Sequence, residues 1–257
     1  MYAMNRYAED AGLWCHRTAH TCFNVLGWPW VTAVIVALAL LPAAAPACGL
    51  SVGSGATVTL SGTLTVDCVD VAKGGTIVLQ SGGTLVLTGA KGNDTSTVNG
   101  CIVLEECDSV LRITSDHTFT GDGCIRGECN TALVTGMNLY TLTIRAPFMI
   151  CGALTMAVDF VNNGTVRADE ASSGTCDTLL IDSGTITGNG SFEVVTAGAW
   201  LEFDATGVDA TGLYTYFTLD GGTLDCETDV TSTRPGCFSA ERGSTVYVGP
   251  GLSVIFY

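Results

Sequence analysis

The most constraining feature of this chain is a short unit, Gly-Thr-apolar-x-apolar. It occurs three times between Gly55 and Gly89, at Gly62 to Val66, Gly75 to Leu79 and Gly83 to Leu87. Each copy reads as a four- or five-residue strand, with Thr, Val, Ile and Leu alternating across a pleated, half-buried surface. The glycines between the units permit the positive φ values needed to turn the chain sharply. A strand this short cannot bury its apolar side alone, so repetition implies stacking.

Residues 50–257 continue the theme with candidate strands such as CIVLEE, VLRITS, LYTLTIRA, ALTMAVDF, YTYFTLDGGTLDCE, STVYVG and LSVIFY. Turn chemistry separates them at Asn163-Gly164, Gly188-Asn189-Gly190, Asp220-Gly221-Gly222 and Gly249-Pro250-Gly251. No useful length shows an apolar face at 3.6 spacing, so helix beyond residue 48 is expected to be negligible. A sandwich needs longer strands, and a propeller needs a period of about 40 to 45 residues. The fold expected is an all-β, single-domain right-handed parallel β-helix, or β-solenoid, over residues 48–257.

A hydrophobic segment precedes it. Residues 1–26 are polar and mixed, and Trp28 to Ala47 is apolar but interrupted by Pro42 and Pro46. Ala45-Pro46-Ala47 offers an A-x-A cleavage site that leaves Cys48 first in the mature chain. The alternative is an uncleaved signal-anchor helix over residues 28–47, short for a bilayer crossing of about 20 apolar residues. Either way the body is expected outside the cell, with membrane attachment only through that uncleaved segment.

The charge agrees with export. Asp+Glu number 25 against 10 Lys+Arg, a net charge of -15, and the excess lies after residue 47. Such a body repels nucleic acid and anionic membranes. Of twelve cysteines, ten lie in the body, an even number that argues for disulfides in an oxidising compartment. The close pairs Cys101/Cys107, Cys124/Cys129 and Cys226/Cys237 are expected to staple loops. Cys48/Cys68 and Cys151/Cys176 then remain as bridges between coils. No CxxC or HxxxH pattern supports zinc, so neither metal nor cofactor is expected.

GGTIVLQSGGTLVLTG, FVNNGTVRAD and LLIDSGTITGNGSFEVVTAGAWLEF resemble the repeats of right-handed parallel β-helix proteins, including the pectin-lyase-like fold and autotransporter passenger regions. The resemblance covers most of residues 50–256. It implies a stacked-coil fold and, for glycan-cleaving members, carboxylates gathered on one sheet face beside a basic residue or calcium. Here the paired-aspartate and Gly-His-Gly motifs of the hydrolases and the Arg-x-x-Arg element of the lyases are missing. The cysteine density also departs from bacterial passengers.

Asp116, His117 and Asp122 form the one acid-histidine cluster and the weak catalytic candidates, against a solvated turn as the plainer reading. The acidic groups Asp67/Asp70, Asp169-Glu170 and Asp204/Asp209 read as outward positions on a soluble surface. Asn93, Asn163 and Asn189 head glycosylation sequons. Late aromatics such as Trp200, Tyr214, Tyr216, Phe217 and Tyr247 suit either a widened core or a platform for a glycan ligand. The apolar strand LSVIFY invites self-association through the solenoid ends. The function expected is a secreted or surface-displayed structural or adhesive protein without catalytic activity. The alternatives are a carbohydrate-active enzyme, lyase or hydrolase, of the pectin-lyase-like fold, or a glycan-binding module.

Overall fold

A computed structural model describes residues 48–92, 94–136, 139–169, 177–204 and 207–257. The leader over residues 1–47, with its cleavage site or anchor, lies outside them. The described chain is an all-β parallel solenoid of about 8 turns. Among the described residues the only helix is a single 3-10 turn, Ala90–Gly92.

Each coil lays one short stretch on each of three parallel faces. Face 1 begins with Leu50–Val52, Val69–Val71, Thr95–Val98 and His117–Thr120, and ends with Val230–Ser232 and Val254–Phe256. Face 2 begins with Thr57–Leu60, Thr76–Leu79 and Cys101–Leu104, and ends with Tyr216–Asp220 and Phe238–Glu241. Face 3 begins with Thr63–Val66, Thr84–Leu87 and Val110–Ile113, and ends with Trp200–Phe203, Thr223–Cys226 and Thr245–Val248. In the middle of the molecule the strand Thr141–Ala157 bends through all three faces, pairing with Asp159–Ala168 and then with Thr178–Thr187.

Alternation along each strand sends every second residue inward. In-register stacking then lines like upon like. On face 2 the inward column runs Val58, Ile77, Ile102, Ile125, Ile150, Val166, Phe192, Phe217 and Phe238. All but the outermost members are sealed from solvent. The interior grows aromatic toward the carboxy end, where Phe192 stacks on Phe217 at 5.2 Å and Phe217 meets Phe256 at 5.0 Å. The late aromatics thus divide. Phe203 and Phe217 fill the core, whereas Tyr214, Tyr216 and Tyr247 stand outside.

The corner entering face 2 is a column of glycines. Gly75, Gly100 and Gly123 stack on successive coils, and Cys101 N–H and Cys124 N–H donate to the Gly75 and Gly100 carbonyls at 3.1 and 3.0 Å. A Cβ on Gly100 would overlap the Gly75 carbonyl oxygen, and one on Gly123 would overlap that of Gly100. In the Gly-Gly pairs the labour is divided. Gly74 and Gly82 hold φ of 76° and 69°, where side chains are strained, while Gly75 and Gly83 provide the close approach to the coil beneath.

Among the described residues three disulfides bridge neighbouring coils: Cys48–Cys68, Cys101–Cys124 and Cys107–Cys129, with sequence separations of 20, 23 and 22. The loop staples Cys101/Cys107 and Cys124/Cys129 are therefore corrected. Cys107 lies in the turn beyond the strand Cys101–Leu104, and Cys129 lies five residues on from Cys124 along the strand Cys124–Thr135, at about 3.3 Å per residue. A residue one coil away sits directly opposite, with Cα atoms 4.7 Å apart for Cys101 and Cys124. Cys226 and Cys237 also do not pair, because the face 1 strand Val230–Ser232 lies between them in the winding. Both are buried thiols, and burial pushes Cys226 up to about 12. Cys151 is buried too, while its expected partner Cys176 lies outside the described residues. Non-reducing peptide mapping is expected to recover 48–68, 101–124 and 107–129 linked peptides. Recovery of a 101–107 peptide would contradict the winding.

Candidate functional site

The acid-histidine cluster does not converge. Neighbouring residues alternate across the sheet, so His117 points inward and is 1% exposed, while Asp116 and Asp122 face solvent. Asp116 Oδ1 accepts the Thr141 N–H at 2.9 Å, tying one coil to the next. Asp122 sits in the following turn, its N–H donating to Asn99 Oδ1 at 3.2 Å. His117 Nε2 lies 2.8 Å from Ser96 Oγ, which also accepts the Val69 N–H at 3.0 Å. The imidazole packs edge-on against Phe119 at 5.3 Å, and its Nδ1 has no partner. Burial lowers its pKa to about 4, partly offset by the charge of Asp94. Asp116 and Asp122 are thus exposed, whereas His117 belongs to the core.

Face 3 gathers what the sequence scatters. Glu202 lies opposite Asp225, and Asp225 opposite Tyr247. One outward position further along, Asp182, Asp204 and Glu227 follow one another on successive coils. Burial, then the charge of and a hydrogen bond with Asp204, raise the pKa of Asp182. Burial, then Asp225, Asp204 and Glu227, raise that of Glu202. Trp200 stands at the head of the same strand, its ring 6.2 Å from that of Tyr247 and within 9° of parallel. The result is a strip of carboxylates beside two aromatic surfaces. It suits hydroxyl-rich rings, whose O–H groups donate to carboxylates and whose C–H faces lie on indole or phenol. Among the described residues, no group of three or more His, Cys, Asp or Glu is placed to hold a metal.

Face 2 carries a mixed ion-pair network. Arg126 and Arg167 flank Cys151 in one outward column. Arg126 meets Glu128 at 2.6 Å and Asp169 at 3.8 Å, and Arg167 meets Glu193 at 2.7 Å. Read along the sequence these arginines look solitary; the winding stacks them. Partly exposed pairs of this kind contribute modestly to stability. Nearby, Arg234 lies over the Tyr216 ring at 3.5 Å and also donates to the Asn189 carbonyl at 2.9 Å.

A cleft of about 290 Å³ opens beside the Cys48–Cys68 bridge, lined also by Asp70, Asp94, Thr95 and Thr97. Of the sequon asparagines, Asn93 lies outside the described residues. Asn163 is half-buried and its Oδ1 accepts the Asn189 N–H at 3.2 Å, whereas Asn189 is exposed in a turn. No protein-family model, curated protein or solved structure matches this chain.

Proposed function

We propose that the chain is a secreted or surface-displayed structural or adhesive β-solenoid, without catalytic activity and wound right-handed as parallel crossovers are. The observation that carries this reading is the stitching of successive coils by Cys48–Cys68, Cys101–Cys124 and Cys107–Cys129. Such bonds form and persist in oxidising surroundings, and here they harden a tube rather than staple a binding loop. The acidic outer surface keeps a glycine-rich β protein dispersed and repels nucleic acid and anionic bilayers. Contact with a membrane is then made only by residues 28–47, where they are retained. Purified secreted protein is expected to adhere to a cell or matrix surface while releasing no product from polyuronates. Product release from an acidic glycan, abolished by Asp122→Ala or Glu202→Gln, would overturn this reading.

A second reading, a glycan-binding module or an enzyme of the pectin-lyase-like kind, is favoured by Trp200 and Tyr247 standing beside Glu202 and Asp225. On that reading Trp200→Ala weakens binding on a glycan array by about tenfold, the loss of one ring contact. Unchanged binding would remove face 3 from consideration.

A further inference from the structure

The two ends of the tube are the same template seen from opposite sides. At the amino end, the strands on faces 1, 2 and 3 are Leu50–Val52, Thr57–Leu60 and Thr63–Val66, of 3, 4 and 4 residues. At the carboxy end they are Val254–Phe256, Phe238–Glu241 and Thr245–Val248, again of 3, 4 and 4 residues. Among the described residues, each of these six strands pairs on one side only. Among the described residues, three N–H and C=O edges therefore stand without a strand partner at either end.

The core columns run out into solvent at the same places. Val246 and Val248 are 38% and 43% exposed, whereas Leu224 and Cys226, one coil back in the same columns, are sealed. At the other end Val58, Leu60, Leu64 and Val66 are half-buried, whereas Ile77, Leu79, Leu85 and Leu87 above them are sealed. Phe256 stacks on Phe238 at 4.6 Å, forming an aromatic lid that still presents one side outward.

We propose that copies of this chain stack head to tail, the last coil of one continuing into the first coil of the next. Winding polarity selects this arrangement. Head to tail, all three ladders stay parallel. The last coil leaves on face 1 and the first coil enters on face 1, so the next copy is turned by one face, with Leu50–Val52, Thr57–Leu60 and Thr63–Val66 lying over Phe238–Glu241, Thr245–Val248 and Val254–Phe256. Tail to tail, strands would run antiparallel and the three faces would fall out of order. A second copy is the occupant because the chain itself supplies strands of the right length and inward alternation on all three faces at once. Such a contact is heterologous and does not close on itself, so strings of copies follow. The inference rests on the scaffold reading for its purpose, but adhesion and turnover assays judge that reading, whereas assembly is judged by mass.

The test is sedimentation velocity of the secreted full chain over a concentration series, with electron microscopy of the heaviest fractions. Wild type is expected to gain mass with concentration and to form unbranched strings. Val246→Asp blocks the tail and Leu64→Asp blocks the head, so each alone is expected to remain monomeric. Mixed together they are expected to form a 1:1 complex and stop there, because one free tail meets one free head. A strictly monomeric wild type, the result expected if residues 1–47 or another partner occupy an end, would overturn the proposal without needing any variant to fold. A Leu64→Asp protein that dimerises alone would overturn it in favour of tail-to-tail pairing.

Discussion

Gly100→Ala is expected to destabilise the protein by about 3 kcal/mol or more, at the upper end of what forced overpacking costs. The methyl group would meet backbone on two sides, the Gly75 carbonyl and the Ala72 carbonyl at 2.8 Å, and neither can swing away as a side chain would. The coils must separate instead, breaking the Cys101 N–H bond to Gly75 and straining the 101–124 disulfide next to it. Gly62→Ala is the matched control: it opens a face 3 strand, nothing lies within 4 Å of its added Cβ, and its φ is not left-handed. That change should shift stability by no more than about 0.5 kcal/mol. Urea unfolding of the two variants, compared at equal slope, decides the matter. Equal midpoints would mean that the corner is not close-packed.

The second large effect concerns pH. Neutral His117 sits in the tube with a folded pKa near 4, against 6.5 for an unhindered imidazole. Between those values the unfolded chain binds a proton that the folded chain refuses. The stability tied to His117 is therefore intact above pH 6.5 and is lost as pH falls through that window to 4, for about 3 kcal/mol in all. Three carboxyls act in the opposite sense. Burial raises Asp169, Asp182 and Glu202, so their protonation favours the folded state as pH falls. The difference between wild type and His117→Leu isolates the imidazole. The variant should lose the downward slope from 6.5 to 4, while Ser96 keeps its bond from Val69. Identical slopes would show that His117 is not confined as described.

Much of this architecture is legible in the chain because strand alternation is a local signal. Thr76 to Leu79 and Thr84 to Leu87 announce their inward residues without help from any neighbour. What one coil does to the next is harder to read, because the corners vary in length. Thr141 pairs with Asp159, whereas Asp70 pairs with Thr97. With no fixed period, Cys101 and Cys107 look like partners and Asp182, Asp204 and Glu227 look unrelated. A usable signal was present in the glycine that precedes five of the face 2 strands. Aligning Gly75-Thr76, Gly100-Cys101, Gly123-Cys124, Gly164-Thr165 and Gly190-Ser191 puts the two bonded cysteines at one position. The direction of His117 follows from phase: Phe119 is two residues on and apolar, so both belong to the inward set.

Among the described residues the three disulfides all lie between residues 48 and 129, and beyond them Cys151, Cys226 and Cys237 remain thiols. Because each turn touches only the turns beside it, resistance to mechanical pulling should be graded along the axis. Tugged by its extremities, the molecule would unreel from residue 257 backward, like thread from a bobbin whose first windings are sewn down. The sewn portion would survive as a short stub until a reductant reached it.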